Sequence, residues 1–89
     1  MIINKIKRLL HNHKWSYIGK YYKFELADNL ESYDFKLYKV WYCSCGVYKA
    51  KLLNLNNIDV FKVTETCAKY DCQGIKQLVK LEGDVIEIN

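Results

Sequence analysis

Residues 35–46 constrain the fold of this chain more than any other stretch. Phe35, Leu37, Lys39, Trp41 and Cys43 alternate with Lys36, Tyr38, Val40 and Tyr42. A period of two places successive side chains on opposite faces of a β-strand, and aromatic residues favour such a pleated, half-buried surface. The run ends in Cys43-Ser44-Cys45-Gly46, where glycine lets the backbone turn sharply. Residues 47–53 then read as the returning partner strand. Upstream, Trp15, Tyr17, Tyr21, Tyr22, Phe24 and Leu26 read as a further strand, with Gly19 at a bulge.

Around this hairpin the pattern is weaker. Residues 28–32 carry Asp, Asn and Ser and predict a turn, and the Asn-rich residues 54–57 predict another. Ile58, Val60 and Val63 open an expected strand that runs to Thr66. Residues 68–81 admit two readings, a short helix through Ile75, Leu78, Val79 and Leu81 or a strand between Gly74 and Gly83. Gly83-Asp84 reads as a turn and residues 85–88 as a closing strand. At the start, apolar residues at positions 2, 3, 6, 9 and 10 predict an amphipathic helix over residues 2–10. The expected fold is α+β: an amino-terminal helix on a small, mostly antiparallel sheet, with closure into a barrel-like sheet as a variant. No composition shift marks a linker, so residues 1–89 read as one small domain.

A chain of 89 residues lies near the size at which a hydrophobic core alone becomes marginal. Its apolar fraction of 51% and aromatic fraction of 15% argue for a folded chain. No run approaches the roughly 18–20 apolar residues of a membrane-spanning helix, and the opening residues lack a secretory signal pattern. The expectation is a cytoplasmic protein without membrane contact. Four cysteines in such a setting point to metal ligands or free thiols before disulfides.

Thiolates and neutral imidazoles are the ligands zinc prefers, and four of them close a structural tetrahedral site. Two sets are available. His11, His13, Cys43 and Cys45 form a His₂Cys₂ set, because residues two apart in an extended segment point the same way. Cys43, Cys45, Cys67 and Cys72 form a Cys₄ set, with Gly46 and Gly74 following each pair. In a third reading Cys43 and Cys67 are buried small hydrophobes.

His13-Lys14-Trp15, followed later by Trp41-Tyr42-Cys43-Ser44-Cys45-Gly46, resembles the small zinc-ribbon-like proteins of tailed bacteriophages. Those carry a Cys-x-His-x-Trp start and a later Cys-x-x-Cys-Gly corner. The resemblance covers residues 11–50. It implies His13, Cys43 and Cys45 as ligands, with His11 standing where that family has its first cysteine. One residue rather than two separates the thiols here.

Charge is unevenly distributed. Residues 1–23 sum to +6 with no acid, residues 24–34 to −4, residues 35–51 to +4 and residues 52–89 to −2. Tyr and Trp supply anchoring area at interfaces, so the first expectation is a non-enzymatic binding protein, phage-encoded, that docks on a host or phage protein and so modulates the host. Its expected contacts are Tyr17, Tyr21, Tyr22, Tyr38, Tyr42, Lys14, Lys20 and Lys23. The alternative is a nucleic-acid-binding module that uses the basic amino-terminal half and its interleaved aromatics. A single arginine argues against reading of base edges. A Cys–His nucleophile pair lacks a visible third orienting group, and no phosphate-cradling glycine loop occurs, so no enzymatic activity is expected.

Overall fold

The computed structural model describes residues 13–88, and the expected helix over residues 2–10 falls outside them. Three long strands form an antiparallel meander: β1 (Ser16–Leu26), β2 (Ser32–Tyr42) and β3 (Val47–Asp59). A short 3-10 turn (Val60–Lys62) leads into a helix, α1 (Val63–Cys72). Then come β4 (Lys76–Gln77), a second 3-10 turn (Leu78–Lys80) and β5 (Asp84–Ile88). The strand order is β4-β1-β2-β3-β5.

Both outer strands run parallel to their neighbours, β4 to β1 and β5 to β3. The sheet is therefore mixed and open, with β4 and β5 as edges, and it does not close into a barrel. The described helix also follows the meander instead of preceding it.

Pairing across the sheet defines two faces, because directly opposed residues share a side. On one face Tyr21, Tyr38, Val40, Ala50 and Leu78 form a buried cluster, with Tyr48, Leu52, Leu81 and Val85 packed on it. The segment after β4 supplies Leu78 and Leu81 as it crosses this face to reach β5. On the other face Tyr22 and Phe35 meet the helix residue Tyr70, whose ring lies 4.8 Å from Phe35 and 6.1 Å from Tyr22, and Phe24 packs on Phe35 at 5.2 Å. The Tyr22 hydroxyl donates to Asp71 Oδ1 at 2.8 Å. Hence α1 covers the half of this face nearest the β1–β2 turn. The half nearest the β2–β3 corner lies beyond it.

Two expectations about the middle of the chain are corrected. Residues 54–57 are not a turn but the outer half of β3, with Asn54, Asn56 and Asn57 opposite Leu37, Phe35 and Asp34. Pairing along the whole of β2 overrides the turn propensity of Asn, and Asn57 Nδ2 donates to Ser32 Oγ at 2.8 Å. The expected strand through Ile58 to Thr66 ends at Asp59 and continues as α1. Its β-branched composition masks a helical stripe: Val63, Thr66, Cys67 and Tyr70 are the half-buried residues of α1, spaced i, i+3, i+4, i+7.

Neither expectation for residues 68–81 holds as stated. Residues 68–72 finish α1, and Gly74 (φ 75°) stops it. Ile75 N–H reaches Tyr70 O and Gly74 N–H reaches Asp71 O, the paired bonds of a glycine-terminated Schellman cap. The bulge expected at Gly19 is present, as a register shift between Tyr17 and Gly19.

Candidate metal centre

The β2–β3 corner is built by its own sequence. Gly46 N–H donates to Cys43 O and Cys43 N–H to Val47 O, each at 2.9 Å. Gly46 holds φ 94°, a left-handed conformation that costs a residue with a Cβ about 1–2 kcal/mol. This is a tight turn followed by a glycine bulge, one of the common short hairpin connections. It sets Cys43 and Cys45 two positions apart on one loop.

A second segment closes on the corner. An added Cβ on Gly83 would lie 2.5 Å from Gly46 O and 3.1 Å from Tyr48 Cε2. Only glycine permits this approach, so residues 81–85 press directly against the turn.

The third side comes from the residues before β1. His13 Nδ1 lies 3.5 Å from Cys45 Sγ, and the donor atoms of His13, Cys43 and Cys45 all fall within 4.8 Å of one another. Ligands on a tetrahedral zinc with Zn–S of about 2.3 Å and Zn–N of about 2.0 Å stand roughly 3.5–3.8 Å apart. The His13–Cys45 separation already matches that edge. The widest separation, no more than 4.8 Å, closes by at most about 1.3 Å onto an ion of this geometry. The donor set and its spacing therefore fit a zinc-sized ion.

The corner also favours the thiolate. The Cys43 thiol is lowered to about 6 by the Cys45 backbone N–H first, then by the His13 side chain. Burial opposes the shift, and the Cys45 thiol and the Lys14 backbone N–H add to it. Backbone N–H groups directed at a sulfur stabilise its anion, the form that ligates metal.

His13 is oriented by aromatic packing. Its ring stacks on Trp15 at 4.6 Å with an interplanar angle of 27°. Lys49 Nζ lies 5.0 Å from the Trp15 ring and 4.8 Å from the Trp41 ring, within the range of cation–π attraction. Tyr17 meets Trp41 edge-on at 5.6 Å. One row of rings and one lysine thus run from the corner along the sheet. Lys49 was absent from the residues expected at the site. The corner could have identified it, because hairpin register fixed by the turn puts Lys49 opposite Trp41.

The expected site residues are placed as follows. His13, Cys43 and Cys45 come together, while His11 lies outside the described residues. The Cys₄ set is not assembled among the described residues. Cys67 sits on α1 beside the Tyr22 hydroxyl, and Tyr22 opposes Leu37, six residues or about 20 Å of strand from Cys43. Cys72 is exposed at the end of α1. Gly74, expected beside a metal loop, is the helix stop.

Of the expected contact tyrosines, Tyr21, Tyr22 and Tyr38 are buried in the two cores, and of these Tyr21 alone keeps an edge on the groove beside β4. Tyr42 is half-buried against Tyr48, and Tyr17 is exposed. Lys14 and Lys20 are exposed. Lys23 is withdrawn into ion pairs with Glu25 and Glu87, at 2.7 and 2.6 Å. Among the described residues no helix is long and apolar enough to cross a membrane. No family model, curated protein or solved structure matches this chain.

Proposed function

We propose that this chain is a non-enzymatic binding domain in which a zinc ion pins the segment before β1 to the β2–β3 corner. The observation that carries the reading is the convergence of the His13, Cys43 and Cys45 donor atoms within 4.8 Å. Two thiolates and an imidazole are donors that soft and borderline metals prefer. His11, two residues earlier in the sequence, is the candidate for the fourth position of a closed structural site. The ion would compensate for the small core of a short chain.

Two further observations support a binding role. The groove beside β4, about 580 Å³ in volume, is lined by Tyr21, Asp71, Ile75, Lys76 and Leu81, and its carboxylate Asp71 already accepts the Tyr22 hydroxyl. With Tyr21, Tyr22 and Tyr38 buried, the expected tyrosine anchors still at the surface are Tyr17 and the half-buried Tyr42, both beside the corner, and this favours the face there as the binding surface.

The test is elemental analysis of protein purified without added chelator, with cobalt spectroscopy on the refilled site. One metal per chain is expected, lost in Cys43→Ser, Cys45→Ser and His13→Ala and kept in Cys67→Ser and Cys72→Ser. A His11→Ala variant that loses the metal assigns the fourth ligand. A metal-free wild type, or a metal retained by the Cys45→Ser variant, overturns the reading.

A further inference from the structure

Strand register gathers lysines that lie far apart in the chain. Lys20 on β1 opposes Lys39 on β2, and Lys39 opposes Lys51 on β3. All three are exposed, and they form one row across adjacent strands, about 10 Å from end to end at the usual strand spacing. The neighbouring row toward the metal centre is Tyr17, Trp41 and Lys49. Both rows lie on the face that carries α1, on the half that the helix does not reach.

Like charges set directly opposite one another destabilise a sheet, so folding alone gives no reason for this row. The other face shows the contrast. There Lys23 and Lys36 are matched by Glu25 and Glu87 at 2.6 to 2.9 Å. Lys20, Lys39 and Lys51 form no ion pair among the described residues. Nor does the amino-terminal segment carry countercharge, since residues 1–12 contain Lys5, Lys7 and Arg8 and no acid. The one acid that register places on this end of the face is Asp84, opposite Val47 beyond the aromatic row.

We propose that this face binds single-stranded nucleic acid, with phosphates along Lys20, Lys39 and Lys51 and a base stacked on Tyr17. The inference names the partner for the binding domain proposed above and rests on that reading. A repeated anionic backbone matches a repeated row of cations, and exposed rings beside such a row are the usual stacking platforms for unpaired bases. Tyr17 is 53% exposed, whereas Trp15 and Trp41 are held by Lys49. Lysine meets phosphate as a point charge and does not fork onto base edges, so binding tolerates any sequence.

The experiment is fluorescence anisotropy of a labelled 20-residue oligo-dT with metal-loaded protein at several salt concentrations, with metal content measured on the same sample. Three neutralised phosphates predict a log–log salt slope of about −2. Lys39→Gln lowers the slope by about 0.7 while raising Tm, because it removes the central like charge. The K20Q/K39Q/K51Q variant abolishes the salt dependence. Tyr17→Ser weakens binding by roughly 5- to 100-fold with the slope unchanged, and oligo-dT quenches the fluorescence of Trp41, 5.6 Å from Tyr17. Absence of binding at low salt by protein that carries its metal overturns this inference and leaves the zinc staple standing. So does equal affinity for duplex DNA or for poly-glutamate, or a triple variant whose slope matches the wild type.

Discussion

A methyl group on Gly83 would test how firmly residues 81–85 hold the cysteine corner. The added Cβ would stand 2.5 Å from the backbone oxygen of Gly46, whereas a comfortable carbon–oxygen contact begins near 3.3 Å. The backbones must separate by roughly 0.8 Å to restore that contact. No rotamer can relieve it, because the obstacle is main chain. The Tyr48 ring at 3.1 Å blocks part of the escape, and Gly46 is tied through its N–H to Cys43 O at 2.9 Å. Overpacking of this kind costs about 1–3 kcal/mol. In a domain of this size each kcal/mol moves Tm by roughly 4–8 °C, so Gly83→Ala should melt about 5–20 °C below the wild type. Because the displaced oxygen belongs to the turn that carries Cys43 and Cys45, affinity for the proposed zinc should fall with it. Gly74→Ala is the control. An added Cβ there meets nothing within 4 Å but occupies φ 75°, so it should cost about 1–2 kcal/mol of backbone strain and leave metal affinity intact. Thermal unfolding by circular dichroism and competitive zinc titration read both quantities. A Gly83→Ala protein with wild-type Tm and zinc affinity would refute the close approach.

The other expectations concern the two faces of the sheet. Phe35, 2% exposed and ringed by Tyr22, Phe24 and Tyr70, should cost about 3–5 kcal/mol on truncation to alanine, measured by urea unfolding. Tyr22→Phe keeps that ring but removes the hydroxyl bonded to Asp71. It should cost about 1 kcal/mol and speed amide exchange in α1 more than in β2. Glu87 is held below the usual carboxylate range, chiefly by its hydrogen bond with Lys23; burial opposes this and the Tyr38 hydroxyl reinforces it. A depressed folded-state pKa gives stability that is present above the unfolded value of about 4.3 and is lost as pH falls through the folded value. Glu87→Gln should therefore flatten the decline in stability below about pH 4. Its effect at neutral pH should stay under about 1 kcal/mol, because the side chain is 40% exposed. An unchanged acid-unfolding curve would argue against that ion pair.

Local pattern made part of this molecule legible. Alternation through residues 35–43 and the Cys-Ser-Cys-Gly corner predict β2, its turn and the start of β3, because period and turn chemistry are properties of a few adjacent residues. The helix was hidden for the opposite reason. Val63, Thr66, Cys67 and Tyr70 are weakly apolar or β-branched, so their helical spacing is drowned by strand propensity until Phe35 and Tyr22 supply a surface to pack on. The Asn-rich end of β3 is likewise a strand only because β2 offers it a partner.

The same division runs through the functional residues. The sequence by itself determined which donors are available, in two alternative sets that share Cys43 and Cys45, since donor chemistry and short spacing are written in the order of residues. Only the tertiary structure decided which thiols meet. It sent Cys67 and Cys72 to a helix on the far half of the sheet, buried Tyr21, Tyr22 and Tyr38, and drew Lys23 into acid pairs. It also decided the row of Lys20, Lys39 and Lys51, which depends on two strand registers, while the bulge between Tyr17 and Gly19 brings Tyr17 opposite Trp41 on the same face. A shift of one residue turns every side chain of a strand to the opposite face, so that row exists only once the sheet has formed.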